Sequence, residues 1–174
     1  MKNFGFTLME LMIVIGLMMI LSVVGIGSFT QATIKSKDSE RKNNINQMVK
    51  AVESFYTDIG RYPLSLTNEN YMHCYVKLAG VITNTTCDNN RLYSLIDGIV
   101  TSYIVIPSDP DPARKFVYIS DGSSYAFYTA LENTADKDLI VNADGSINQD
   151  PWGVNCGSVS CNYKVTESGL VKSL

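Results

Sequence analysis

Hydrophobic positions along this chain follow two different rules. From Phe6 to Phe29 nearly every side chain is apolar, on every face a helix would have, and Glu10 is the only ionisable one. After Phe29 the sequence turns polar as far as Lys42. Apolar residues then return at Ile45, Met48, Val49, Val52, Phe55, Tyr56 and Ile59. That spacing marks a one-sided apolar helix face. No Gly or Pro interrupts the stretch after Phe29; Gly60 is a plausible stop and Pro63 lies just beyond. The pattern predicts one continuous helix from about Phe6 to Ile59, roughly 80 Å long at the standard rise. Its first half is long enough to cross a bilayer, which takes about 20 apolar residues. Its second half would lay the Ile45 to Ile59 stripe on a globular domain.

Beyond the helix the period changes. A short helix is expected in Ser65 to Leu78, and Thr83 to Asn90 reads as an exposed polar loop. Tyr103 to Pro107 is a short apolar run, broken by Ser108-Asp109-Pro110-Asp111-Pro112. Lys115 to Ser120, the Asp121-Gly122 pair and Ser124 to Glu132 read as a hairpin, with Tyr125, Phe127, Thr129 and Leu131 on one face. Asn162 to Val165 supplies a further strand. A helix packed on a small antiparallel sheet is an α+β domain.

Composition sharpens the division. A length of 174 residues is a prior for one domain with an appendage. Five of the seven Met lie before residue 20, whereas all ten Tyr and the single Trp lie after residue 55, so two different materials are joined end to end. The net charge of −3 and the lack of a basic block argue against nucleic acid as a partner. Lys2 ahead of the apolar run favours a cytoplasmic N-terminus, which puts everything after residue 30 outside the cytoplasm. A secretory signal peptide would have a shorter apolar core and a small-residue cleavage site. Here only Gly25 to Ser28 imitates one, and Glu10 lies inside the run. A plain membrane anchor leaves Glu10 unexplained, because a carboxylate in hydrocarbon is expensive.

The stretch Gly5-Phe6-Thr7-Leu8-Met9-Glu10-Leu11-Met12-Ile13-Val14-Ile15-Gly16 strongly resembles the N-terminus of type IV pilins and type II secretion pseudopilins. The resemblance implies a leader of residues 1–5 ending at Gly5. A membrane aspartyl prepilin peptidase would cut after it and methylate the new N-terminus, Phe6. It also implies an inner-membrane assembly platform and a filament of copies of the chain, or of mixed pilins, as partners. In such a filament Glu10 gains a purpose: its carboxylate pairs with the Phe6 amine of a neighbour or of its own chain. Breaking a buried pair by removing one partner costs on the order of 3–5 kcal/mol. The stretch Phe55 to Pro63 resembles the helix end of the major pseudopilin, and Ile106 to Pro110 with Tyr125 to Asn133 resembles its sheet. Many type IV pilins have proline where this chain has Gly27.

The four cysteines form no Cys-x-x-Cys pair, and His73 is the single histidine, so a zinc site is poorly supplied. In an exported domain disulfides are the natural reading. Three pairings are possible. Cys74–Cys87 with Cys156–Cys161 is favoured because each closes a local loop, and the second resembles the C-terminal disulfide loop of type IV pilins. Asn142, Asp144, Ser146, Asn148 and Asp150 place oxygens at alternate positions. Calcium takes six to eight such oxygens. The resemblance to major pseudopilins implies a calcium ion held by Asp144, Ser146, Asn148 and Asp150, and a plain polar Asp-Gly turn is the competing reading. Asn84-Thr85-Thr86 fits a glycosylation sequon. His73 beside Cys74 lacks an orienting third group, and no phosphate-binding loop or metal-binding helix motif is present, so no enzyme is expected.

The resulting plan is a leader at 1–5 and a transmembrane or filament-core helix at 6–29. An amphipathic second half follows at 30–60 and a head at 61–174, with its variable loop at 64–100 and its sheet and C-terminal loop at 101–174. The expected function is a structural subunit of a type IV pilus or a pseudopilus. It would sit as a single-pass inner-membrane protein, then in an extracellular or periplasmic filament. The alternative is a membrane-anchored or secreted ligand-binding module that never polymerises.

Overall fold

The computed structural model describes residues 5–65, 71–87 and 90–172, and the side chains of residues 23–28 lie outside that description. The chain divides into two compact units, Met1–Lys37 and Asp38–Leu174. Helix α1 spans Leu8–Ile59. It stops at Gly60, which takes φ +80° and donates its N–H to the Tyr56 carbonyl at 2.7 Å. A residue with a Cβ resists that left-handed conformation, which is why glycine closes helices.

In the first unit, the bilayer-spanning segment expected at 6–29 includes residues 23–28, whose side chains lie outside the described residues. Among the described residues no helix is long and apolar enough to cross a membrane. Within this segment the hydroxyl of Ser22 donates to the Met18 carbonyl at 2.8 Å, and Thr33 does the same to Phe29 at 2.9 Å. Such back-bonding lets a polar side chain sit in a helix without an external partner.

Among the described residues of the second unit, eight strands form two four-stranded sheets: β1 (His73–Leu78), β2 (Val81–Thr86), β3 (Arg91–Ile96), β4 (Ile99–Val105), β5 (Val117–Ser120), β6 (Tyr125–Thr129), β7 (Tyr163–Thr166) and β8 (Gly169–Leu170). The second sheet runs β5-β6-β7-β8, antiparallel throughout. It contains the expected hairpin and the expected strand after Asn162. The first sheet runs β2-β1-β3-β4 and is a correction. The stretch from Leu64 to Val100, read as loop, holds three strands and the start of a fourth. The short helix expected in Ser65 to Leu78 is replaced by β1 at its end, and residues 66–70 lie outside the described residues. Two hairpins, β1–β2 and β3–β4, are joined by a parallel pairing of β1 with β3. Their turns are twins, Ala79-Gly80 (φ +49°, +83°) and Asp97-Gly98 (φ +46°, +91°). Two successive positive-φ residues give the turn whose twist matches that of the paired strands.

The apolar stripe of α1 is the centre of the core. Ile45, Met48, Val52 and Phe55 share one buried cluster with Leu92 of the first sheet and Tyr118, Tyr125, Phe127 and Val165 of the second. The alternate residues Val117, Tyr128 and Ala130 face a smaller cluster with Cys156, Cys161 and Trp152. The second sheet is therefore covered on both faces. Both expected disulfides are present, Cys74–Cys87 and Cys156–Cys161. The second closes a loop around Gly157, where φ is +86° and an added Cβ would collide with the Ala113 carbonyl.

Polar groups register the helix on this core. Arg41 is fully buried, and its guanidinium pairs with Asp38 at 2.8 Å, Asp109 at 2.9 Å and Glu132 at 2.8 Å. Asp38 in turn accepts the backbone N–H groups of Glu132 and Asn133. Burial opposes the Arg41 charge, and the bonds from Asp109, Glu132 and Asp38 more than restore it, so its affinity for the proton is raised. Nearby, Lys42 pairs with Asp136 at 2.7 Å and with Asp138 at 2.8 Å, and Lys172 pairs with Asp138 at 2.8 Å.

Two stability tests arise from these pairs. Arg41→Leu leaves Asp38 and Asp109 buried without their cation and is expected to cost about 3–5 kcal/mol. Urea unfolding followed by Trp152 fluorescence measures it; a loss under ~1 kcal/mol would place the network with ordinary surface pairs. Hydrogen bonds from Lys172 and Lys42 hold the Asp138 carboxyl down to about 2. A carboxyl of an unfolded chain titrates near 3.9. Because the folded value is the lower one, this stabilisation is fully present above the unfolded value and is lost as pH falls through about 2. Stability of Asp138→Asn should accordingly decline less steeply than wild type across that acid window.

Candidate functional site

Thr7-Leu8-Met9-Glu10 has the Thr-x-x-Glu spacing that closes the start of a helix on itself. The first four backbone N–H groups of any helix lack partners within it. Here the Glu10 N–H donates to Thr7 Oγ1 at 3.3 Å, while the Thr7 N–H donates to Glu10 Oε2 at 2.9 Å. The Thr7 hydroxyl donates to the same Oε2 at 2.8 Å. The Leu11 N–H reaches the Thr7 carbonyl at 3.2 Å and begins the helical ladder. Thr7 is thus the N-cap and Glu10 the third helical residue, a reciprocal box. A carboxylate here also faces the positive end of the helix dipole.

This supplies a function for Glu10 that sequence reading missed. Its signal in the sequence is Thr7 three places before Glu10. The box engages Oε2. Glu10 Oε1 makes no hydrogen bond among the described residues and points to no partner in its own turn. A carboxylate has about four acceptor positions, so this group can still receive a cation.

The setting is apolar and open. Phe6, Leu8, Met9, Leu11, Met12, Ile13 and the large residues on to Leu21 are all exposed, Phe6 at 78%. Gly5 and Phe6 precede the helix in exposed, irregular backbone. The structure therefore brings together Gly5, Phe6 and Glu10 at one helix terminus and adds Thr7.

The oxygen-bearing loop at 142–150 is arranged differently. The Ser146 N–H and hydroxyl both donate to Asp144, at 2.9 and 2.6 Å, and these bonds hold the Asp144 carboxyl below its ordinary range. The Asp150 N–H donates to Asn148 at 3.1 Å, and the Gly153 N–H donates to Asp150 at 3.0 Å. Each of the four side chains takes part in a bond within this loop, while the second carboxylate oxygens of Asp144 and Asp150 take none of these bonds. Among the described residues no group of three or more acidic, His or Cys side chains is placed to hold a metal ion.

Thr7→Val removes the hydroxyl and keeps the shape. Amide hydrogen exchange at Thr7 and Glu10 should then speed up several-fold relative to wild type, with no change at Val52. Equal exchange in both proteins would show that the box does not hold the turn.

No protein-family model matches the chain, and no solved structure matches it. Over 61 residues it is 41% identical to the type IV major pilin protein PilA of Myxococcus xanthus (strain DK1622). That stretch is 35% of this chain and 28% of the relative, so the chain spans little more than a quarter of the length of the curated protein it matches. The chain is α+β as expected, with a long N-terminal helix and sheets that are antiparallel except for the β1–β3 pairing. By its matched segment, then, this chain is similar to a type IV major pilin.

Proposed function

We propose that the chain is a structural subunit of a type IV pilus or a type II secretion-like pseudopilus, cut after Gly5 by a prepilin peptidase and polymerised through its N-terminal helix. The observation that carries this reading is the stretch from Leu8 to Leu21, whose large side chains are apolar and exposed on every face. A helix apolar all round needs an apolar surrounding. The inner membrane would supply it first, with residues 6–29 as the anchor and an assembly platform at hand. The same segments of neighbouring subunits would supply it in the filament. The head would then lie outside the cytoplasm, where its two disulfides are at home. The likeness to a major pilin supports self-assembly.

Processing fits the local chemistry. The Gly5–Phe6 bond lies ahead of the helix in exposed backbone. Cutting there keeps Thr7, so the capping box survives, and it frees an amine on Phe6 one residue away. That amine, or a neighbour's, would meet the second oxygen of Glu10. Inside a filament the pair would be shielded from water, so leaving either member alone would be costly.

Mass spectrometry of the N-terminal peptide from the protein made in its own host tests the processing. A peptide starting at Phe6 and one methyl heavier is expected, and a start at Met1 would overturn it. Two substitutions then separate the roles of Glu10. Glu10→Gln keeps an oxygen for the Thr7 bonds but removes the charge, whereas Glu10→Ala removes both. Both variants should be made and cleaved, yet shear off few filaments. Normal filament yield from Glu10→Gln would leave the cap as the sole role of this side chain.

A further inference from the structure

A cleft of about 360 Å³ opens in the head between the β1–β2 hairpin and the segment that leads into β5. Ligand pockets commonly fall between about 300 and 1,000 Å³. Its exposed rim includes Lys115, and its inner wall includes buried Met72 and half-buried Phe116. A smaller space of about 40 Å³ shares Met72 and Phe116 with it and ends on Met48 and Phe127, which are 1% and 0% exposed. Exposed Lys115 and buried His73 and Asp109 line the cleft together with these apolar side chains, and the smaller space beyond Met72 and Phe116 opens on the apolar core.

Among the described residues the charges of the lining are not balanced. Among the described residues the one carboxylate in the lining is Asp109. Its two oxygens already take three hydrogen bonds from the Arg41 guanidinium, at 2.9 to 3.2 Å. Arg114, also in the lining, is held by the Ala130 carbonyl at 2.9 Å and by Asp111. The Lys115 ammonium makes no ion pair or hydrogen bond among the described residues. An available cation thus stands over an apolar depression in a chain of net charge −3.

We infer that this cleft binds a small organic anion, a carboxylic acid whose ring or short apolar chain lies on Met72 and Phe116 while its carboxylate meets Lys115. The two parts must occur in one molecule. An exposed ion pair alone is worth little. An apolar body without the charge has nothing to orient it at the rim. A site of this kind would let the head of a subunit take up a ligand whether or not its helix is polymerised, so the inference does not rest on the filament reading.

The seven methionines allow a direct test on the full chain in detergent micelles. With methyl-labelled methionine, Met72 and Met48 report on the cleft, whereas Met9, Met12, Met18 and Met19 report on the apolar helix. The probe is 4-phenylbutyrate, and its neutral counterpart is 4-phenylbutan-1-ol. Phenylbutyrate should move the Met72 methyl resonance saturably and leave the helix methionines in place. Lys115→Gln, at an exposed position that leaves the fold intact, should weaken this binding about fivefold, the upper worth of an exposed pair. The alcohol should bind wild type about as weakly as phenylbutyrate binds the variant. Lys115→Arg should restore the affinity, and added salt should lower it. Movement confined to the helix methionines, no movement at Met72, or equal affinity for acid and alcohol would each overturn the inference.

Discussion

A fully buried guanidinium ties this head together. Arg41 lies on α1 one turn before the apolar stripe begins, and removing its charge from water is tolerable only because Asp38, Asp109 and Glu132 converge on it. Those three acids come from three places: the helix itself, the Pro-Asp-Pro turn ahead of β5, and the chain leaving β6. Asp109 also caps its own turn through the Asp111 N–H at 2.8 Å, and Asp38 accepts the backbone of residues 132 and 133. The apolar contacts of Ile45, Met48, Val52 and Phe55 provide the bulk of the driving force, but such contacts are non-directional. The ion network supplies direction. It permits one axial position of the helix against the second sheet and penalises a slip by a turn, because a slip would strand buried charges.

The same helix meets opposite demands in its two halves. From residue 38 onward it is one-sided, with its stripe buried and its polar residues paired or wet. From Leu8 to Leu21 its large residues other than Glu10 are apolar and uncovered. Glu10 belongs to the second environment but is dealt with locally, through Thr7. A carboxylate that closes its own helix start has a defined position, and an incoming amine would find it already oriented. Capping and pairing are therefore compatible functions for one side chain, since they use different oxygens.

Legibility differed by element. The helix and its stop could be read from period and from Gly60, and the β5–β6 hairpin from Asp121-Gly122 flanked by alternation. The first sheet was missed although one of its turns, Asp97-Gly98, carries the same signature between apolar runs; the other is Ala79-Gly80. β2 is rich in Thr, and β2 and β4 expose most of their residues, so no buried face imposed an alternating pattern. The cysteine pairings were legible because short loops are the simplest to close. The Thr7–Glu10 box has a local signal, the Thr-x-x-Glu spacing. The cleft beside Lys115 had no sequence signal, because its walls come from β1, β2 and the segment before β5, which are distant along the chain.

What the sequence determined by itself is what depends on neighbours along the chain. Period, turn residues and caps act over two to four positions, so the long helix, its glycine stop, two hairpin turns and the Thr7–Glu10 box all follow from local order. What only the tertiary structure decided is what depends on convergence. Arg41 looks like one more charge in a polar stretch between Thr30 and Lys42, and nothing local distinguishes it from Lys35 or Lys37. It becomes the buried centre of the head because folding brings Asp109 and Glu132 to it from about seventy and ninety residues away, distances at which no sequence period operates.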